Sequence, residues 1–145
     1  MLTYKPLDVL SIRDDVTLEE IRDVVIHTRT LKLPDYNLYP NTGSFLKNPI
    51  VTTEEGKELQ AKYPLITLIP YNDGYKISAA WLVEHVAEMK GVRVGNVGTW
   101  PAQPLVMVNY GEVTGEDLNS FVQGIIEKVK ERTEVLLEKE VNFVE

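Results

Sequence analysis

The spacing of apolar positions changes several times along the chain, and each change marks an element. "LTYKPLDVL" alternates weakly between apolar and polar residues, which predicts a strand or strand-like lead-in. Thr17-Leu-Glu-Glu then forms a capping box, with Glu20 three residues after the cap, so a helix opens there. Ile21, Val24, Val25, Thr28 and Leu31 follow at helical spacing and form one apolar stripe. Lys32-Leu33-Pro34 ends it, because a residue before proline is pushed out of the helical region. Residues 33–43 have no period and are rich in Pro, Asn, Asp, Tyr and Gly, the kind of loop that often carries function.

The same reasoning covers the rest of the chain. A second cap at Thr52-Thr53-Glu54-Glu55 starts a short helix through Lys62, which Tyr63-Pro64 stops. "LITLIPYNDGYKIS" predicts two strands around an Asn72-Asp73-Gly74 hairpin turn. Ser78 caps "AAWLVEHVAEMKG", with Leu82, His85, Val86 and Met89 on one face and Gly91 as its stop. "VRVGNVG" and "PLVMVNYG" each predict a strand. A long helix from about Thr114 to Arg132 turns Leu118, Phe121, Val122, Ile125, Ile126 and Val129 inward, and "TEVLLEKEVNFV" predicts a closing strand. Strands interleaved with helices, several joined by hairpin-length turns, predict a single α+β domain: a mostly antiparallel sheet with about four helices packed on it.

Composition narrows the function. The chain has 145 residues, 43% hydrophobic and 26% charged, as ordinary globular domains do. No apolar run approaches the roughly 20 residues of a membrane helix, and the N-terminus lacks the basic-then-apolar pattern of a signal peptide. Cysteine is absent, so disulfides, thiolate metal sites and cysteine nucleophiles are excluded. These features predict a cytoplasmic protein with no membrane partner. The net charge of −7 argues against nucleic acid as a partner, since that binding needs many cations to neutralise phosphates. It leaves room for one small anion, because a few local cations outweigh distant charge once water is displaced.

Standard catalytic fingerprints are missing: there is no Gly-rich phosphate loop, no Gly-x-Ser-x-Gly elbow and no His-Glu-x-x-His. His27 and His85 fall in separate helices without a ligand-spaced partner, so no metal site is predicted. The polar residues at element ends are more informative. Lys32, Ser44, Lys47, Asn48, Lys76 and Gln103 all fall there, each alone compatible with a solvated surface. Glu140 lies inside the predicted last strand, close to Val141 and Phe143, where a carboxylate is disfavoured unless exposed or used. Glu138 shares its face by alternation.

Taken together, "KLPDYNLYPNTGSFLKNP", "GYKISAAWLVEH", "GVRVGNVG", "AQPLVMVN" and "LLEKEVNFV" occur in an order that resembles the C-terminal domain of the UDP-N-acetylenolpyruvoylglucosamine reductase family. The likeness spans nearly the whole chain, and "GSFLKNP" is close to that family's Gly-Ser-Phe-Phe-Lys-Asn-Pro. The family makes UDP-N-acetylmuramate for peptidoglycan synthesis by reducing an enolpyruvyl ether. Hydride passes from NADPH to FAD and on to the substrate's methylene carbon, and a proton goes to the neighbouring carbon.

The resemblance implies Ser44 as the proton donor and Glu140 as the carboxyl that helps stabilise the enolate-like intermediate. Such an intermediate concentrates negative charge, which preorganised donors stabilise. A neutral Glu140 able to donate requires burial. Lys32, Asn48, Lys76 and Gln103 are implied contacts to the diphosphate and uridine of UDP-N-acetylglucosamine enolpyruvate. Lysines act there as point charges and the amides read base edges. Two departures stand out. Lys139 replaces the family's usual proline, and Ile69 replaces its tyrosine, so either Tyr71 two residues later takes over that contact through a shifted turn or the contact is missing.

The likeness covers only the family's last domain. Residues 1–145 are read as the C-terminal substrate-binding domain, with the FAD-binding domains, and a catalytic arginine they supply, absent from this sequence. No cofactor-binding residue is assigned, FAD and NADPH belong to the full enzyme, and the chain alone is expected to be inactive. The competing expectation is a stand-alone UDP-sugar binding or partner-interaction module without catalysis.

Overall fold

A computed structural model describes residues 5–10 and 13–143. After a 3₁₀ turn (Lys5–Leu10) come α1 (Leu18–Lys32), β1 (Asn41–Ser44), β2 (Ile50–Thr52) and α2 (Thr53–Lys62). The β3 (Leu68–Tyr71) and β4 (Gly74–Ile77) hairpin precedes α3 (Ala79–Trp81), which runs on as a π-turn over Leu82–Val86. Then follow β5 (Arg93–Val94), β6 (Val97–Trp100), β7 (Gln103–Asn109) and α4 (Gly115–Thr133). The strands form two antiparallel sheets, one ordered β1-β7-β6-β5 and the other β2-β4-β3. The architecture is therefore α+β, as the pattern predicts.

Local chemistry sets the helix starts. Thr17, Thr52 and Thr114 each cap a helix, and in return each donates its backbone amide to the carboxylate three residues on, that of Glu20, Glu55 or Asp117. Each box satisfies two amides that a helix start otherwise leaves unpaired. Packing then decides which helices are held. Val122, Ile125, Ile126 and Val129 of α4 are buried, and they join Phe45, Leu46, Ile77, Leu82, Val83, Val86 and Met107 in one core. The other face of the larger sheet carries Gly98 opposite Val108, where a Cβ on Gly98 would meet the Tyr110 ring. Tyr39 packs edge-on against that ring and tilted against Trp100, with ring centres at 5.8 and 5.5 Å.

Several expectations need correction. Residues 5–10 of the lead-in form a 3₁₀ turn rather than a strand, consistent with the fixed φ of Pro6; residues 1–4 lie outside the described residues. "VRVGNVG" is not one strand: Gly95, at φ +58°, and Asn96 turn it into the β5–β6 hairpin. In "LVEHV" the Ala87 amide bonds the Leu82 carbonyl, five residues back, so the turn is wider than an α-helical one. That buries Val83 beside Leu82 and Val86 and leaves His85 exposed against the Trp81 ring.

The closing segment keeps its predicted alternation, with Val135 and Leu137 buried and Leu136 exposed. Among the described residues, however, its backbone forms only one bridge, Leu46 to Lys139, because the facing stretch is three residues long before Asn48-Pro49 leads into the other sheet. On α1 the expected stripe is only half-buried at Ile21, Val24, Val25 and Thr28, and Leu31 is exposed.

Candidate functional site

The Asn41-Thr-Gly stretch shapes the approach to Ser44. The Asn41 side-chain oxygen accepts from the Gly43 amide at 3.1 Å, and Gly43 takes φ +67°, a left-handed value that suits glycine. The β1–β7 register shifts between Asn41 and Ser44 as a result. Ser44 stands opposite Val106 and is exposed, and its hydroxyl bonds no other described residue. Phe45 and Leu46 immediately after it are fully buried, so the hydroxyl sits where the chain dives into a rigid core.

The closing segment runs alongside that dive. The Lys47 amide donates to the Glu138 carbonyl and the Glu140 amide to the Phe45 carbonyl, both at 2.9 Å. These bonds bring Glu140 next to the Ser44–Phe45 step. Lys139 turns away, its ammonium reaching Asn119 and lying 5.1 Å from the Phe143 ring centre. The proline-to-lysine departure thus leaves the Glu140 backbone tied to the same strand. The burial that a neutral Glu140 requires is not met: Glu140 is exposed, because no described element covers that side of the segment. Lys47 pairs with Glu138 at 3.2 Å, an exposed pair worth at most about 1 kcal/mol.

A second group lies where the two sheets meet. The Asn48 side-chain oxygen accepts from the Ala79 amide at 2.8 Å, while Ser78 caps the next turn through the Trp81 amide. Asn48 is thus a helix cap, a role the sequence pattern did not reveal, and its side-chain NH₂ remains available. The Ile77 amide donates to the Pro49 carbonyl, which places Asn48 beside the end of β4. On the outer face of the smaller sheet Lys76 lies between Ile50 and Ile69, and its ammonium stands 4.7 Å from the centre of the Tyr71 ring. Ile69 and Tyr71 share that face by alternation, so Tyr71 reaches the Lys76 neighbourhood without a shifted turn.

Gln103 starts β7, paired with Trp100 and three residues from the Val106 that faces Ser44, roughly 10 Å along the strand. The Tyr39–Trp100–Tyr110 cluster beside it escaped the sequence reading, since its members are scattered over 72 positions and no local period links them. Six of the seven candidate residues therefore gather along the Ser44-to-Ile50 connection and its flanks. Lys32 does not join them: it ends α1, is exposed and contacts none of the other six among the described residues.

Two of the cavities among the described residues bear on cofactor binding. One, of ≈490 Å³, is lined by Glu55, Glu58, Glu131 and Glu134 against Lys62 and Arg132, whose cations already bond the Arg132 and Val86 carbonyls. The other, of ≈550 Å³, is mostly apolar and carries Glu112 and Asp117 against Lys128 alone. A flavin dinucleotide needs convergent donors or cations for its diphosphate, and neither cavity fits it. Among the described residues no cluster of three metal-ligating side chains occurs, and no helix is long and apolar enough to cross a membrane.

Comparison with known proteins shows the family. Residues 34–144 match the sequence profile described as UDP-N-acetylenolpyruvoylglucosamine reductase, C-terminal domain. The reductase of that name from Porphyromonas gingivalis is 40% identical over 146 residues, covering 99% of this chain and 43% of its own length. That of Xylella fastidiosa is 40% identical over 134 residues, covering 89% of this chain and 38% of its own length. The Escherichia coli O157:H7 reductase is 37% identical over 145 residues, with 99% of this chain and 42% of its own length covered. The chain thus spans less than half the length of these curated relatives. It belongs to the UDP-N-acetylenolpyruvoylglucosamine reductase family, as its C-terminal domain.

Proposed function

We propose that this chain is the substrate-binding and proton-donating domain of a UDP-N-acetylenolpyruvoylglucosamine reductase, the FAD- and NADPH-dependent oxidoreductase that makes UDP-N-acetylmuramate for peptidoglycan. Residues 1–145 are inactive alone and work in the cytoplasm together with the family's FAD-binding domains. The observation that supports the reading is the bond from the Glu140 amide to the Phe45 carbonyl, which ties the Glu140 backbone to the residue after Ser44, whose hydroxyl bonds no other described residue.

The chemistry follows from that position. A serine hydroxyl is a poor acid in water and gives up a proton usefully only to a strongly basic carbon from which water is excluded. This chain supplies the hydroxyl and the carboxyl but leaves both exposed, so the cover must come from the rest of the reductase. Asn48, Lys76, Tyr71 and Gln103 hold the UDP moiety: Lys76 meets a phosphate as a point charge, and the free Asn48 NH₂ and the Gln103 amide read uracil edges. Lys32, carried by α1, approaches the diphosphate once α1 is docked.

The test is a chimera in which residues 1–145 replace the matching C-terminal part of the P. gingivalis reductase. Ser44→Ala should lower turnover by about 10² to 10⁴ while UDP affinity stays within about twofold. Full turnover by the Ser44→Ala chimera would overturn the proton-donor assignment.

A further inference from the structure

The 15-residue helix α1 is out of balance with its surroundings. None of its residues is buried among the described residues, whereas α4 buries four. A helix of this length is marginal in water and normally draws its stability from a packed apolar face. At about 100° per residue, Leu31, Val24, Thr28, Ile21, Val25 and Leu18 fall in that angular order on an arc of about 140°. The four in the middle are half-buried, while Leu31 and Leu18 at the two edges are 69% and 86% exposed. Among the described residues, the element α1 chiefly contacts is the short 3₁₀ turn.

The exposure continues past the helix end. Twelve large apolar residues are exposed among the described residues, and six of them, Leu18, Ile26, Leu31, Tyr36, Leu38 and Tyr39, fall within residues 18–39. Scattered exposed apolar residues are ordinary, but such a concentration on one segment marks a surface that meets something.

The comparisons identify the occupant. The C-terminal-domain profile begins at residue 34, just after α1, yet the match to the longer reductases extends over 99% of the chain. In those relatives the counterpart of α1 therefore precedes the C-terminal domain, at its junction with the remaining 57% of the protein. We infer that α1 is a docking helix: its Leu18–Leu31 arc seats against an apolar face on the N-terminal part of the reductase, and this sets the distance between the two parts. The inference rests on the reductase reading above. It also gives Lys32 a reason to stand apart from the other six candidates here, because the end of α1 is positioned only when the arc is covered.

Hydrogen exchange tests it in two forms of the protein. In the 145-residue chain alone, the α1 amides should exchange at least tenfold faster than those of α4. In the chimera described above, they should slow by at least tenfold. Leu18→Lys/Leu31→Lys should abolish that slowing and lower the chimera's Tm while leaving the isolated chain's Tm unchanged. Leu65→Lys, an 85% exposed control outside this segment, should change neither.

If α1 in the isolated chain is already as protected as α4, whether by its own packing or by a second copy at high concentration, the docking assignment is overturned. It is equally overturned by a folded chimera whose α1 exchanges as in the isolated chain. UDP binding by the same chimera is a separate readout. A protected α1 without nucleotide binding would reject the reductase reading and keep the docking helix, and the reverse result would reject only the docking helix.

Discussion

Asn48 carries two separable roles, and one pair of substitutions divides them. Its side-chain oxygen holds the Ala79 amide at 2.8 Å in a partly buried setting, while its NH₂ is free for a ligand. Asn48→Ala removes the acceptor. Loss of such a cap costs about 1 kcal/mol, and leaving a partly buried amide without an acceptor pushes the total to about 2 kcal/mol. With an unfolding entropy of about 2.1 cal/mol/K per residue, or roughly 0.3 kcal/mol/K for this chain, Tm should fall by about 6 °C.

Asn48→Asp keeps the acceptor and places a carboxylate at a helix start, where negative charge is favoured, so its Tm should stay within about 2 °C of the parent. The same change removes both N–H donors and adds a charge that repels a nucleotide diphosphate. UDP affinity, read by chemical-shift titration, should therefore fall at least tenfold, about 1.4 kcal/mol. Differential scanning calorimetry and the titration together decide the matter. If Asn48→Asp is as destabilised as Asn48→Ala, the cap is not what Asn48 contributes; if both variants bind UDP like the parent, its donors do not read the ligand.

Other outcomes follow from single features. Gly124 lies mid-α4, where an added Cβ meets nothing within 4 Å, so Gly124→Ala should gain about 1 kcal/mol of helix propensity and raise Tm by roughly 3 °C. A Cβ on Gly74 would stand 2.1 Å from the Val51 carbonyl oxygen, so Gly74→Ala should cost more than about 2 kcal/mol in urea unfolding and speed exchange of the β2 amides. Glu20 and Glu55 are held below the usual carboxylate range chiefly by the Thr17 and Thr52 backbone amides, and Asp117 by the Thr114 hydroxyl first. A depressed carboxylate stabilises the fold above its unfolded value, about 4.3 for Glu and 3.9 for Asp, and that stability is lost as pH falls through the folded value. Tm should therefore be flat on this account above about pH 5 and decline below about pH 4, and Glu55→Gln should flatten part of the decline.

The parts of this protein that were legible in the sequence are those governed by neighbours a few positions apart. The three capping boxes, the Asn72-Asp73-Gly74 turn and the stops before Pro34 and Pro64 all appear where the pattern puts them. Local patterns failed where a wider turn or a long-range partner intervened. The π-turn at Leu82–Val86 moved His85 off the buried face, and the closing segment kept its alternation but found only a three-residue edge to pair with. For the site, residue types were legible from the resemblance, but the cap made by Asn48 was not, since the Ala79 amide it holds is 31 positions away.

By itself, then, the sequence determined where the capped helices begin and where Pro34 and Pro64 stop two of them, because caps and prolines act through bonds and sterics within one turn of chain; the helix expected to stop at Gly91 instead ends at Val86. Only the tertiary structure decided what stands beside what. It brought Glu140 to the Ser44–Phe45 step across nearly a hundred residues, and it set Lys76 between Ile50 and Ile69 under the Tyr71 ring. It also left the α1 arc half-covered. The physical reason is that such contacts depend on which apolar faces are buried together, and that choice belongs to the whole chain and the surfaces it meets.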